Sequence, residues 1–257
     1  MTVQFLGTGT SQGVPIIACD CPVCQSADPN DKRLRCAIWI QAPGVSIVID
    51  AGPDFRYQML RANVRQLDAI VFTHGHKDHI AGLDDVRAYN YFQEKPMDIW
   101  SNTETQQALR REFAYVFENS QYPGVPQLKL HTITDQPFTI NGLELIPIKV
   151  MHYQMEVLGF RIGPFTYITD ANYIAPSEMD KVRGSEVVVL NALRHEAHIS
   201  HYTLKEAEAV SRELQVPATL FTHISHQLGR HADINAELPA GMQLAYDGLT
   251  LHFEDKP

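Results

Sequence analysis

The stretch FTHGHKDHIAGLDD, residues 72–85, narrows the folds open to this chain more than any other. It places His74, His76, Asp78 and His79 within six residues, directly after LDAIVFT (67–73), a near-continuous apolar run suited to a strand covered on both faces. A loop at the end of such a strand points alternate side chains into one cavity. Imidazoles and a carboxylate gathered there suit zinc, manganese or iron. A solvated polar loop is the bland alternative, but H-x-H-x-D-H is far rarer than any single histidine and sits where a ligand loop belongs.

Further ligands should then come from later strand ends. His152 follows LELIPIKVM, Asp170 follows FTYIT and His223 follows ATLFT. Each alone would be an ordinary surface or capping residue. Together they complement a binuclear site in which one carboxylate bridges.

The wider pattern supports such a frame. Val3–Thr8, Ala37–Ala42 and Val45–Asp50 read as strands, the last two split by the turn signal Pro43-Gly44. Helices are expected from Asp54 to Val64, Ile80 to Gln93, and Thr103 to Phe117, where Thr103 and Gln106 have capping-box spacing. Extended segments follow over 128–133, 138–151, 157–162, 165–169 and 187–191. Thr203 and Glu206 open a helix to Leu214, and Thr219–Thr222 and Leu244–Phe253 read as closing strands. No Gly/Ser linker, charge block or short repeat divides the 257 residues, so one domain over 1–257 is expected. Two strand-rich halves with helices outside predict an α/β fold, a four-layer αββα sandwich.

Charge and composition limit the partners. A net charge of −9 argues against broad binding to a nucleic-acid backbone, while leaving small anionic substrates open through locally bound cations. No apolar run approaches the ~18 residues of a membrane span, and MTVQFLGTGT lacks the pattern of a signal peptide. The expectation is a cytoplasmic protein without membrane contact. In that reducing compartment, ACDCPVC (18–24) reads as metal-binding or reactive rather than disulfide-bonded, or as three thiols without metal. Cys36, opening a strand after KRLR, reads as a core thiol.

H-x-H-x-D-H followed in order by His152, Asp170 and His223 resembles the metallo-β-lactamase superfamily of hydrolases over nearly the whole length. The resemblance implies the αββα sandwich, His74, His76 and His152 on one ion, Asp78, His79 and His223 on the other, and Asp170 bridging. Within that superfamily, FLGTGTSQGVP followed by C-x-C-x-x-C resembles the phosphoribosyl cyclic phosphodiesterase branch, and similar thiols occur in the accessory protein of pyrroloquinoline quinone synthesis. This implies a structural zinc on Cys19, Cys21, Cys24 and, from FTHISHQ, His226. Such a Cys3His set is closed and leaves no position for substrate.

In HEAHISHYT, His201 resembles a histidine that phosphodiesterase and tRNA-processing branches use as proton donor or phosphate contact. His201 and Asp78 are therefore the expected catalytic side chains. His198, Asp85 and Arg87 are candidates for substrate binding, His195 ranking with His198 below His201 and Asp84 standing with Asp85 and Arg87, for which ordinary polar positions at a helix start are the equal alternative. The implied activity is hydrolysis of a small phosphodiester, a cyclic ribose phosphate first, by metal-bound hydroxide, with two active-site zinc or manganese ions. The alternatives are a tRNA 3′-processing-type endonuclease, a thioesterase or lactonase, and a non-enzymatic accessory or carrier protein in cofactor synthesis. The expected partner is a small phosphorylated substrate, and a homodimer is carried as an option.

Overall fold

The computed structural model describes residues 1–118 and 124–254. Its first half runs β1 (Thr2–Gly7), β2 (Ala37–Ala42), β3 (Val45–Ile49), α1 (Phe55–Arg61), β4 (Ala69–Val71), α2 (Lys77–Ile80), α3 (Arg87–Gln93), β5 (Met97–Ser101), α4 (Thr103–Glu112), α5 (Ala114–Phe117) and β6 (Leu128–Thr132). The second half runs β7 (Phe138–Ile140), β8 (Leu143–His152), β9 (Met155–Ile162), β10 (Phe165–Tyr167), β11 (Tyr173–Ile174), α6 (Pro176–Val182), β12 (Val187–Asn191), α7 (Leu204–Leu214), β13 (Ala218–Thr222), α8 (His231–Glu237), β14 (Met242–Leu244) and β15 (Thr250–His252). The strands form two sheets, ordered β15-β1-β2-β3-β4-β5-β6 and β11-β8-β9-β10-β12-β13-β14, with β7 paired to β8.

Period-two patterning makes the layers. Ile38, Ile40, Ile47, Ile49, Ala69 and Val71 join Leu158, Phe160, Tyr167, Val189 and Leu220 in one core between the sheets. Their alternate neighbours Ala37, Val48, Ile70 and Phe72 pack outward with Phe55, Met59, Leu83 and Leu109 of the first helical layer. Val188, Leu190 and Phe221 pack outward with Met179, Val182, Ala207 and Val210 of the second. Each fully buried Ile or Leu contributes roughly 1.5–3 kcal/mol, so both faces of the central strands resist polar substitution. The result is the expected four-layer αββα sandwich. Among the described residues no helix is long and apolar enough to cross a membrane.

Several expected elements are shifted. Residues 80–93 are a short helix, a 3-10 turn over Leu83–Val86 and α3, not one helix. Asn102, whose side chain accepts from Thr105 N, caps α4 in place of Thr103, and that helix ends at Glu112. The segment expected as one strand over 244–253 is two, β14 beside β13 in one sheet and β15 beside β1 in the other. Gly248, at φ 96°, supplies the left-handed turn between them. The capping box of Thr203 and Glu206 is present as expected.

Candidate metal centre

The candidate ligands converge because they follow the carboxyl ends of like-directed strands. β3 and β4 run parallel, as do β10, β12 and β13, and β8 shares the direction of β10 because β9, between them, runs antiparallel to both. The sheets are tied beside the site by Leu158 N donating to Thr73 O at 3.0 Å. The His-rich loop is pressed against the preceding one. A Cβ on Gly52 would lie 2.0 Å from Asp78 O, so only glycine allows that approach.

Three groups of ligand atoms, each within 4.8 Å, result: His74, His79 and Asp170; Asp78, Asp170 and His223; His152, Asp170 and His201. Asp170 is common to all three. His79 Nε2 lies 3.2 Å from Asp78 Oδ2 and 3.3 Å from Asp170 Oδ2, and His223 Nδ1 lies 3.1 Å from the same Asp170 oxygen. His201 Nδ1 stands 3.9 Å from Asp170 Oδ1. The His76 ring is 4.6 Å from that of His74 and 5.2 Å from that of His152. All the residues expected at the active-site ions are thus drawn to one place.

Asp50, which the sequence reading passes over, organises two of them. Fully buried, it accepts from Thr73 N and Thr73 Oγ1, both at 2.9 Å, and faces His79 Nδ1 at 2.7 Å. Because the Thr73 hydroxyl hydrogen is spent on Asp50, its oxygen accepts from His74 Nδ1 at 3.0 Å. His152 Nδ1 donates to Ser200 O at 2.8 Å. These partners fix the tautomers and leave the Nε2 lone pairs of His74, His79 and His152 facing the cavity. Among the described residues, buried His74 Nε2 and His79 Nε2 have no hydrogen-bond partner. Orphaned buried nitrogens of this kind cost roughly 1–3 kcal/mol each, and a divalent cation would satisfy them. The donor set therefore fits metal.

The carboxylates make the pocket negative enough that a proton on His79 Nε2 competes there with a cation. Burial opposes charge on His79, yet Asp78, Asp170 and Asp50 outweigh it and hold its pKa well above the histidine range. Burial, then His79 beside it, pulls His74 well below. Burial, with His223 adjacent, brings His201 down to about 3, so it is neutral near pH 7. Asp170 at φ 55° and His223 at φ 56° hold left-handed conformations uncommon for such residues, a cost often found at functional sites.

Cys19, Cys21, Cys24 and His226 form a separate group. His226 Nδ1 lies 3.3, 3.3 and 3.6 Å from the three sulfurs. The amide of Cys24 leads the causes that lower the Cys21 thiol to about 6, while burial raises Cys24 to about 11. The group is tied to the main site through backbone, Ile224 N donating to Thr8 O at 2.9 Å and Thr10 N to Ile224 O at 3.1 Å. Cys36 is buried, as a core thiol should be, with Sγ 3.3 Å from Gly9 O and Thr222 Oγ1.

The candidate substrate residues divide. His198 is exposed, with its ring 5.1 Å from that of His201. His195 is also exposed. Asp85 lines a hollow of about 560 Å³ with Phe55, Met59 and Phe92, whose walls include none of the grouped ligands. Arg87 pairs with Asp84 and lines a second hollow with Asn90 and Tyr91.

A sequence model of the beta-lactamase superfamily domain matches residues 46–224. An octanoyltransferase of Porphyromonas gingivalis is 36% identical over 259 residues, spanning all of this chain and 52% of that protein. The chain spans about half the length of the curated relatives it matches. Among solved structures, a diphosphatase from the PhnP family is 41% identical, with a TM-score of 0.92 and 98% of each chain covered. Zn(2+)-bound PqqB of Methylobacterium extorquens shares the fold at 18% identity and a TM-score of 0.76, over 98% of this chain and all of that one. By the extent of these matches, the chain belongs to the beta-lactamase superfamily domain family and, within it, to the PhnP family.

Proposed function

We propose that this protein is a metal-dependent hydrolase of small phosphodiesters, with a cyclic ribose phosphate as first candidate substrate. The observation that carries the reading is the meeting of three ligand groups at Asp170, with His201 3.9 Å from its outer oxygen. The likeness to a PhnP-family diphosphatase supports cleavage at phosphorus. Two divalent cations held by His74, His76, Asp78, His79, His152, Asp170 and His223 would supply Lewis acidity and a water acidic enough to react near neutral pH.

The chain's own residues do the rest. Asp50 and Ser200 hold the imidazoles in position, and Asp170 joins the two halves of the site. His201, neutral and nine-tenths buried, donates a hydrogen bond to a phosphoryl oxygen as charge builds there. The Cys3His group binds a structural zinc and steadies the turn after His223.

Acyl hydrolysis is the second reading, favoured by the octanoyltransferase relative, although this chain spans only 52% of that protein. Metal-loaded protein is assayed on bis-p-nitrophenyl phosphate, a ribose cyclic phosphate, a thioester and a lactone. Turnover of the phosphodiesters is expected. Activity confined to the acyl substrates overturns the proposal, and inactivity on all four with metal bound favours a carrier.

A further inference from the structure

The segment joining β12 to α7 is irregular, yet it carries His198, Ser200 and His201. Backbone closes its foot: Leu193 N donates to Tyr202 O at 3.0 Å and Leu204 N to Arg194 O at 3.1 Å. Its far end is fixed beside the metal ligands, Tyr202 N donating to Ala171 O at 2.8 Å and His152 Nδ1 to Ser200 O. Residues 195–199 between these ties are all exposed, so burial does not hold them in place. Any slack there would reach His201 along the chain.

Arg194 removes that slack. Its Nε donates to Glu196 O and its Nη2 to Ala197 O, both at 3.2 Å, while Nη1 donates to Gln227 Oε1 at 2.8 Å. All three acceptors are neutral oxygens, so these bonds serve shape rather than ion pairing. A planar guanidinium meets three acceptors in fixed directions, which a flexible ammonium does not. Gln227 directly follows His226 of the Cys3His group, and the same turn is bound to the foot of the loop by Ser225 N donating to Leu193 O at 3.0 Å. One side chain therefore bridges the turn after the thiol partner and the segment leading into His201. We propose that Arg194 is a positioning residue, holding the 195–200 loop against the His226 turn so that His201 is presented to the reacting phosphoryl group in one orientation. The inference rests on the role given to His201 in the phosphodiesterase reading.

Arg194→Lys keeps the charge and loses the fork. With the full metal-loaded chain on bis-p-nitrophenyl phosphate, kcat should fall roughly tenfold or more while KM and metal content stay close to wild type. In a His201→Ala background the same substitution should leave the residual kcat unchanged, because a residue acting through His201 then has nothing to position. Methylguanidinium added to Arg194→Ala should restore part of the turnover. Hydrogen exchange gives a reading independent of activity: amides of residues 196–200 should exchange faster in Arg194→Lys, and in Gln227→Leu, than in the wild type. A kcat unmoved by Arg194→Lys, an equal loss in both backgrounds, or unchanged exchange in the loop overturns the proposal. If the wild type turns over no phosphodiester, the hydrolase reading fails, and the exchange measurement alone then decides whether Arg194 orders the loop.

Discussion

His79 Nδ1 lies 2.7 Å from Asp50 Oδ2, and both side chains are fully buried. Through Thr73 the same carboxylate also sets the ring of His74. Asp50→Asn keeps the shape but turns an acceptor into a partial donor, so both imidazoles lose their enforced tautomer. We expect metal affinity to fall roughly 10- to 100-fold. Competition with a chromophoric chelator checks this, and unchanged affinity would show that the two rings orient without Asp50.

Gly52 meets the backbone of the ligand loop where a Cβ would lie 2.0 Å from Asp78 O. Gly52→Ala must push that loop aside, at a cost of about 1–3 kcal/mol. For a chain of this length the melting temperature should drop by roughly 3–10 °C. Thermal unfolding reads the shift, and metal content should fall with it because Asp78 and His79 move together.

Cys21→Ser removes one of the sulfurs 3.3 Å from His226 Nδ1. The loss of one zinc per chain is expected, together with a lower melting temperature. Because His223 and His226 share a turn held to Thr8 and Thr10, the remaining ions should also exchange faster. Elemental analysis against timed chelation measures both effects. Retention of all metal with unchanged exchange would make the thiols bystanders.

His201→Ala should lower turnover roughly 10²- to 10³-fold while leaving metal content intact. His201→Gln, which restores an N–H donor, should recover part of the loss. Equal loss in both variants would point to proton transfer in place of hydrogen bonding.

Arg33 Nη2 donates to His231 Nδ1 at 3.1 Å, which requires that nitrogen to be unprotonated. Burial, with Arg33 next to it, lowers the His231 pKa in the folded chain. The unfolded chain therefore takes up the proton first. Stability from this contact is complete above the ordinary histidine value of about 6.5 and is lost as pH falls from there toward the folded value. Melting curves from pH 8 to 5 should show a decline that His231→Gln flattens.

The gathering of the His-rich loop is legible in the sequence because His74 to His79 are neighbours and their spacing survives folding. Asp50 is not legible, since its role comes from a contact with a residue 29 positions on, and an acid ending a strand has no signature of its own. The four layers follow from strands such as Val45–Ile49, whose alternate residues divide between two cores. The closing strand is misread because apolar residues on both sides of Tyr246–Gly248 suggest continuity, while the left-handed Gly248 sends the chain to the other sheet. Met97–Ser101 escapes notice because five residues with two polar positions carry too little pattern.

The pairing of Cys19 with His226 also sets an order of events during synthesis. The thiols emerge first, and their imidazole partner follows 207 residues later. Thr8 likewise waits 239 residues for Asp247. Such distant closures make folding slow, and here they cannot form until His226 and Asp247 have been made. The thiols made first are thus the last to meet their imidazole, and a chain truncated before His226 would carry all three without it.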